Sequence, residues 1–272
     1  MFSLVIPICN SYNAEDFIDR CKNMEIQLNL LKNMQIIVVE QICNYSYKTL
    51  LSNIKISINH PNLLYIQLFN PIFNKGWCIN VGVKNSVNDH IIVNESDCIP
   101  YSISDYFIKL YDYIKENDIK WCIGWNKIEY LNENNTVHMI DTPRKGGPEG
   151  GLVFFEKEFY NSIGGFNEFM KELGGMDNCI IRRSERIHKS ENFKWTIKHL
   201  YHKKSENMKP VNSTITKFRK YNIQLYNFIE RNVEKATEYL KSKNFGNKEF
   251  PLCDKYNMLE DLKTITLPIR GK

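Results

Sequence analysis

The chain lacks any stretch approaching the ~20 consecutive apolar residues that a membrane-crossing helix needs. Its start also lacks a basic segment and a long apolar core. Phe2-Ser3-Leu4-Val5-Ile6-Pro7 follows Met1 directly, so this run reads as a first strand and not as a signal peptide. The eight cysteines, at positions 9, 21, 43, 78, 98, 122, 179 and 253, contain no CxxC pair. Their scatter argues against a disulfide framework and points to reduced core thiols in a cytoplasmic chain. No GxGxxG opens a helix after the first strand, and no P-loop occurs, which argues against nicotinamide and Walker-type nucleotide sites. Charge is not concentrated either. The net charge of +5 is diffuse apart from Lys-rich stretches at 198–209 and 217–243. Such a chain is not expected to bind nucleic acid, yet it would not repel an anionic ligand. Sequons occur at Asn44, Asn94, Asn134 and Asn212, and a glycan on Asn94 would cover the acidic turn described next, which argues against a secretory route.

What the chain does have is an alternation of apolar runs and amphipathic segments over 272 residues, enough to bury a full core. Residues 3–8 read as a strand. Asn10-Ser11-Tyr12-Asn13 offers caps for a helix over 14–31, with Phe17, Ile18, Cys21, Met24, Leu28 and Leu31 on one side. Strands over 35–40 and 63–68, with a helix near 45–53 between them, complete a β-α-β-α-β run and so a parallel sheet with right-handed crossovers. A helix over 74–85, a strand over 91–93, a helix over 102–115, and strands over 121–130, 137–140 and 152–155 follow. The 146–151 glycine-rich segment reads as a loop. Residues 213–243 read as one long or two shorter helices whose apolar face (Phe218, Tyr221, Leu225, Phe228, Ile229, Val233) is expected on the sheet's flank. No period marks 245–272. The expectation is an α/β chain with a mostly parallel sheet flanked by helices over 1–208 and a helical C-terminal extension over 209–272.

The organising stretch is Ile91-Ile92-Val93-Asn94-Glu95-Ser96-Asp97-Cys98-Ile99-Pro100. An apolar strand breaks into an acidic turn, and ligands of open α/β sheets bind beyond the strands' carboxyl ends. Glu95 and Asp97 there suit a hard divalent cation that keeps waters and diphosphate oxygens; the plainer alternative is a solvated loop. Asp177, near the start of a helix, is either a functional carboxylate or a helix cap. His199 and His202 are spaced to converge on one metal, or are scattered surface histidines.

These motifs, in this order, resemble the β-1,4-galactosyltransferase family and the related polypeptide N-acetylgalactosaminyltransferases and chondroitin-type polymerases. The likeness is carried by Phe73-Asn74-Lys75 through Asn80-Val81-Gly82, by the acidic turn with Ile99-Pro100, and by Pro7-Ile8-Cys9-Asn10 after strand one. It continues through Val39-Glu40-Gln41, Gly150-Gly151, Gly164-Gly165-Phe166, Gly174-Gly175-Met176-Asp177-Asn178 and His199-x-x-His202, and spans about residues 3–205. The resemblance implies a GT-A (Rossmann-like) fold, a nucleotide-diphosphate sugar donor, most simply a UDP-sugar, and inversion at the anomeric carbon. It further implies Mn²⁺, with Mg²⁺ possible, held by Asp97, His199 and His202, and Asp177 as catalytic base. Pro7, Asn10, Glu40, Lys75, Asn80, Glu95, Ser96, Gly151, Gly175 and Met176 would bind the donor, and a glycan or glycoprotein would be the acceptor.

The departures are specific. Glu95 replaces the first Asp of the family's Asp-x-Asp, and Lys75 replaces an Arg on the diphosphate, losing its bidentate fork. Met176 replaces the Glu that reads the donor sugar, and Leu173 replaces a Trp under the sugars. Donor sugar, acceptor and linkage are therefore left open. Two rival classes stand beside the transferase: a GT-A-fold protein that binds nucleotide or glycan without turnover, and a non-enzymatic nucleic-acid- or partner-binding protein using the basic 198–243 region.

Overall fold

Strand β1 (Phe2–Cys9) is buried along nearly its whole length, because it lies inside a parallel sheet covered on both faces, the environment its unbroken apolar run calls for. It pairs in parallel with β2 (Gln35–Ile42) on one side and β4 (His90–Asn94) on the other, and β3 (Leu63–Phe69) adds in parallel to β2. This computed structural model describes residues 1–9, 14–31, 33–43, 49, 60–143, 149–172, 174–203 and 213–264. The expected caps at 10–13, the helix near 45–53 apart from Thr49, residues 144–148, Leu173 and the end of the tail lie outside the described residues.

Beyond β4 the sheet changes direction. β9 (Leu152–Glu156) runs antiparallel to β4, and β6 (Trp121–Ile123) runs antiparallel to β9, giving the order β3-β2-β1-β4-β9-β6. The parallel expectation thus holds for four strands, β3, β2, β1 and β4. A second sheet, absent from the sequence reading, has the order β5 (Cys98–Pro100), β10 (Thr196–His199), β7 (Lys127–Leu131), β8 (Val137–Asp141). The run 121–130 is two strands, not one. Gly124 N–H donates to Leu152 O at 2.8 Å and stays with the first sheet, whereas Asn126 N–H donates to Trp195 O at 2.9 Å and joins the second.

Helix α1 (Ala14–Leu30) buries Phe17, Cys21, Met24 and Leu28. Helix α2 (Lys75–Lys84) lies on β1 and β2 so closely that a Cβ on Gly82 would fall 2.4 Å from Val5 Cγ1. The remaining α-helices among the described residues are α3 (Ile103–Glu116), α4 (Lys157–Ser162), α5 (Met176–Ile187), α6 (Ser213–Arg231), α7 (Val233–Lys241) and α8 (Met258–Thr264). The 213–243 segment is two helices broken at Asn232. Their buried Leu225, Ile229 and Leu240 correct the expected placement, since α6 and α7 pack principally on α5 and on each other rather than on the sheet. The aperiodic tail is also ordered by contacts. Glu168, fully buried, accepts from Gly246 N–H at 2.6 Å and Leu252 N–H at 2.9 Å, and Asn70 Nδ2 donates to Asp254 Oδ2 at 2.8 Å. No helix among the described residues is long and apolar enough to cross a membrane.

Candidate active site

The strand order reverses between β1 and β4, and at that point the carboxyl edge of the sheet opens into a cavity of about 230 Å³. Pro7 and Cys9 come to it from the end of β1, Asp16 and Arg20 from α1, and Lys75 from the first turn of α2. Glu95 and Ser96 come from the turn after β4, and Glu172, Gly174, Met176 and Asp177 from the start of α5 and the segment before it.

Local sequence fixes these positions. Asn74 caps α2, its Oδ1 accepting from Trp77 N–H at 2.9 Å, which sets Lys75 as the first helical residue facing the cavity. The acidic turn is held from behind. Asn94 Nδ2 donates to Gln27 Oε1 at 2.6 Å and to Cys98 O at 3.1 Å, Gln27 Nε2 donates to Ser96 O at 2.8 Å, and Glu95 N–H donates to Gly151 O at 2.8 Å. The backbone at Gly150 runs so near the carboxylates that a Cβ there would lie 2.8 Å from Glu95 Oε1 and 3.2 Å from Asp177 Cγ.

Lys75 is the hub of the cavity wall. Its Nζ donates to Glu95 Oε1 at 2.6 Å and to both Asp177 oxygens at 2.9 Å. Burial opposes the ammonium charge, but Asp177 and Glu95 outweigh it and raise the Lys75 pKa; Lys75 in turn lowers that of Glu95. Asp177 is the second residue of α5, whose N-cap is Gly175 at φ 81°. Its carboxylate pairs with Lys75.

Asp97, His199 and His202 form the second cluster, with one potential ligand atom from each lying within 4.8 Å of the others. The register of β10 against β5, with His199 opposite Cys98, brings the first histidine to the acidic turn, and Leu200 N–H donates to Asp97 O at 2.7 Å to hold the following segment there. Asp97 Oδ2 lies 3.8 Å from His199 Nε2 and 3.3 Å from His202 Nε2, while His202 Nδ1 lies 2.7 Å from Asp16 Oδ1. A carboxylate on one imidazole nitrogen orients the ring and leaves the other nitrogen's lone pair for a ligand, the usual arrangement behind a metal-binding histidine. Two imidazoles and a carboxylate suit Mn²⁺ better than Mg²⁺, so the donor set fits a divalent transition ion. Arg20 Nη1 also donates to Asp97 Oδ2, at 2.7 Å. Burial opposes ionisation of Asp97, but Arg20, His199 and His202 hold its carboxyl down at about 2.

Of the residues singled out in the sequence, Pro7, Lys75, Glu95, Ser96, Met176 and Asp177 meet at the cavity, and Asp97, His199 and His202 meet just behind it. Asn80, Glu40, Gly151 and Gly175 are not on its wall. Asn80 is buried in α2, its Nδ2 donating to Phe166 O at 2.9 Å and Glu168 Oε1 at 2.8 Å, and Glu40 is buried and accepts from the Tyr65 hydroxyl. Gly151 supports the acidic turn and Gly175 caps α5. Asn10 lies outside the described residues. Sequence reasoning missed Asp16, Arg20 and Glu172. Glu172 stands at φ 58° with Oε1 accepting from Phe73 N–H at 3.3 Å, and burial lifts its pKa to about 7. The only sequence signal for Asp16 and Arg20 was their i,i+4 spacing, which an ordinary surface pair shares.

No family model matches this chain, and no curated protein matches it. Solved structures do. TarS residues 1–349 from S. aureus, in complex with UDP-GlcNAc, is similar over 81% of this chain and 65% of that chain, with 15% identity and a TM-score of 0.55. A mannosyltransferase from Pyrobaculum calidifontis, in complex with GDP-Man and Mn²⁺, matches 72% of this chain and 56% of that one at 10% identity and TM-score 0.49. The catalytic domain of Drosophila β1,4-galactosyltransferase 7, complexed with xylobiose, matches 74% and 71% at 14% identity and TM-score 0.42. The chain therefore spans less than two thirds of the length of the first two. At such identities the likeness is one of fold: the chain has the mixed α/β, GT-A-like architecture of glycosyltransferase structures.

Proposed function

We propose that this chain is an inverting, metal-dependent glycosyltransferase that moves a hexosyl or N-acetylhexosaminyl group from a nucleotide-diphosphate donor, expected to be a UDP-sugar, to a hydroxyl of a glycan or glycoprotein. The observation that carries the proposal is the meeting, at the switch point of a GT-A-like sheet, of a Lys75–Asp177–Glu95 cluster with the Asp97, His199 and His202 ligand set. Charge supports the metal. With both imidazoles uncharged, as metal ligation requires, Asp16, Glu95, Asp97 and Asp177 are faced by Arg20 and Lys75, so these four carboxylates outnumber the two cations by two. A diphosphate would add to that excess, whereas a divalent cation would offset it.

When bound, Mn²⁺ (or Mg²⁺) on Asp97, His199 and His202 would act as a Lewis acid on the leaving diphosphate. Lys75 supplies a further donor for the charge that gathers there. As it turns toward the diphosphate it frees Asp177, which then takes the proton of the attacking acceptor hydroxyl. Met176, buried on the cavity wall, shapes the sugar end of the pocket without a hydrogen bond. Pro7 and Ser96 flank the donor, and within the 209–272 extension the described helices over 213–264 brace the transferase part. A second reading, a nucleotide- or glycan-binding protein without turnover, draws on the fact that both Asp177 oxygens are engaged by Lys75.

Thermal melting against UDP-, GDP- and dTDP-sugars, each with and without Mn²⁺, tests the proposal. A donor at a hundred times its Kd stabilises by about 2.7 kcal/mol, a resolvable rise in Tm. The expected result is a rise that needs Mn²⁺ and is largest with a UDP-sugar, followed by transfer or donor hydrolysis under the same conditions. No shift with any nucleotide sugar would refute it, and a shift without turnover would favour the binding protein.

A further inference from the structure

Arg20 stands between the cavity and the ligand set. It lies on the cavity wall with 22% of its side chain exposed, whereas Asp97 behind it is 2% exposed and neither Asp97 nor the two histidines reach the wall. Its guanidinium takes the same atoms a divalent ion would need. Nη1 donates to Asp97 Oδ2 at 2.7 Å, and Nη2 lies 3.3 Å from His202 Nε2. A guanidinium can only donate, so His202 Nε2 is the accepting nitrogen in this contact, while Nδ1 lies 2.7 Å from Asp16 Oδ1. Asp97 Oδ2 and His202 Nε2 are 3.3 Å apart, close to the ~3 Å separation of two neighbouring ligands on an ion with ~2.0–2.2 Å bonds. The other Asp97 oxygen is turned to Cys98, whose Sγ is 3.6 Å from Oδ1. The guanidinium and the ion therefore compete for one carboxylate oxygen and one imidazole lone pair.

We propose that Arg20 is a resident counter-cation that gates the metal site: a divalent ion binds only by displacing its guanidinium from Asp97 and His202 into the cavity. The inference rests on the metal reading given above and goes beyond it, because it makes metal entry a displacement rather than simple coordination. Asp16 is the pivot. Both its oxygens lie 3.2 Å from Arg20 Nε, so the stem stays anchored one helical turn away while the two Nη groups leave. The same Asp16 holds His202 in place for the incoming ion.

The test is a Mn²⁺ titration without nucleotide, followed by calorimetry and by the electron paramagnetic resonance signal of free Mn²⁺, on wild type, Arg20→Ala and Arg20→Lys, with a thermal melt of each. Loss of two charge-assisted contacts predicts that Arg20→Ala binds Mn²⁺ about ten- to a hundredfold more tightly than wild type. Arg20→Lys keeps the positive charge but cannot span Asp97 and His202 together, so it falls between the two. It also carries the test if the alanine variant does not fold. Equal Mn²⁺ affinity in wild type and the folded variants would overturn the gate while leaving the metal site standing. Tighter binding in Arg20→Ala with wild-type affinity in Arg20→Lys would also overturn it, since that is charge repulsion without displacement. Absence of Mn²⁺ binding in wild type and both variants would overturn the gate and the metal reading together.

Discussion

Asp177→Asn separates a catalytic carboxylate from a structural one. Asn is nearly isosteric, so the substitution removes a charge and a proton acceptor without opening space. The structural cost can be worked from the contacts. Lys75 loses one of its two carboxylate partners but keeps Glu95 at 2.6 Å, and the Asp177 side chain is 29% exposed. For a partly buried pair in which Lys75 keeps a second carboxylate and can still donate to the Asn oxygen, the loss is about 1–2 kcal/mol, a fall of about 2–8 °C in Tm for a chain of this size. A base that acts only as the acceptor proton moves is worth ~10²–10⁴-fold in rate and little in donor affinity. The account therefore predicts a folded variant with donor affinity unchanged or slightly raised, because one negative charge has left the cavity, and turnover reduced at least a hundredfold. The assay is transfer rate at saturating donor, acceptor and Mn²⁺, alongside melting and donor titration. Near-normal turnover would refute the assignment and leave Asp177 as an anchor for Lys75.

Gly150→Ala should push Glu95 and Asp177 apart and weaken Mn²⁺-dependent UDP binding with only a small change in Tm; unchanged binding would mean the two carboxylates tolerate displacement. Met176→Gln, which adds an amide without a further carboxylate, should alter the ranking of donor sugars by about tenfold in kcat/KM, and an identical ranking would show that Met176 does not face the sugar. Glu172→Gln tests the carboxyl that burial lifts from 4.5 to about 7. The folded state then holds its proton more tightly than the unfolded chain, so this group favours folding below pH 4.5, and the benefit is lost as pH rises to 7. Glu172→Gln should match wild type in urea unfolding at pH 4 and be more stable at pH 8 by about 1–3 kcal/mol; a difference independent of pH would contradict the shift.

Much of the fold was legible because it rests on local pattern. The buried parallel strands read as continuous apolar runs, and α1 showed its apolar face at Phe17, Cys21, Met24 and Leu28. The acidic turn was legible because a strand's end is where an α/β sheet presents ligands, and the His199–His202 spacing gained meaning only from that turn. What escaped depends on distant partners. Asp16 and Arg20 look like a helix-surface pair until the folded chain brings His202 and Asp97 against them. Asn80 stands in a motif singled out in the sequence but is spent on Phe166 and on Glu168, which in turn holds a tail that no periodicity could have revealed. The split of 121–130 between two sheets turns on Gly124, where a Cβ would lie 2.4 Å from the Tyr106 hydroxyl oxygen.

The central claim is that a donor diphosphate binds here through a divalent ion on Asp97 and His202. Calorimetric titration of UDP with and without Mn²⁺, on wild type, Asp97→Asn and His202→Ala, tests it most directly. The account predicts UDP binding by wild type that requires Mn²⁺ and is lost, or weakened at least tenfold, in both variants while each remains folded. Metal-dependent UDP binding of wild-type strength in both variants would contradict it.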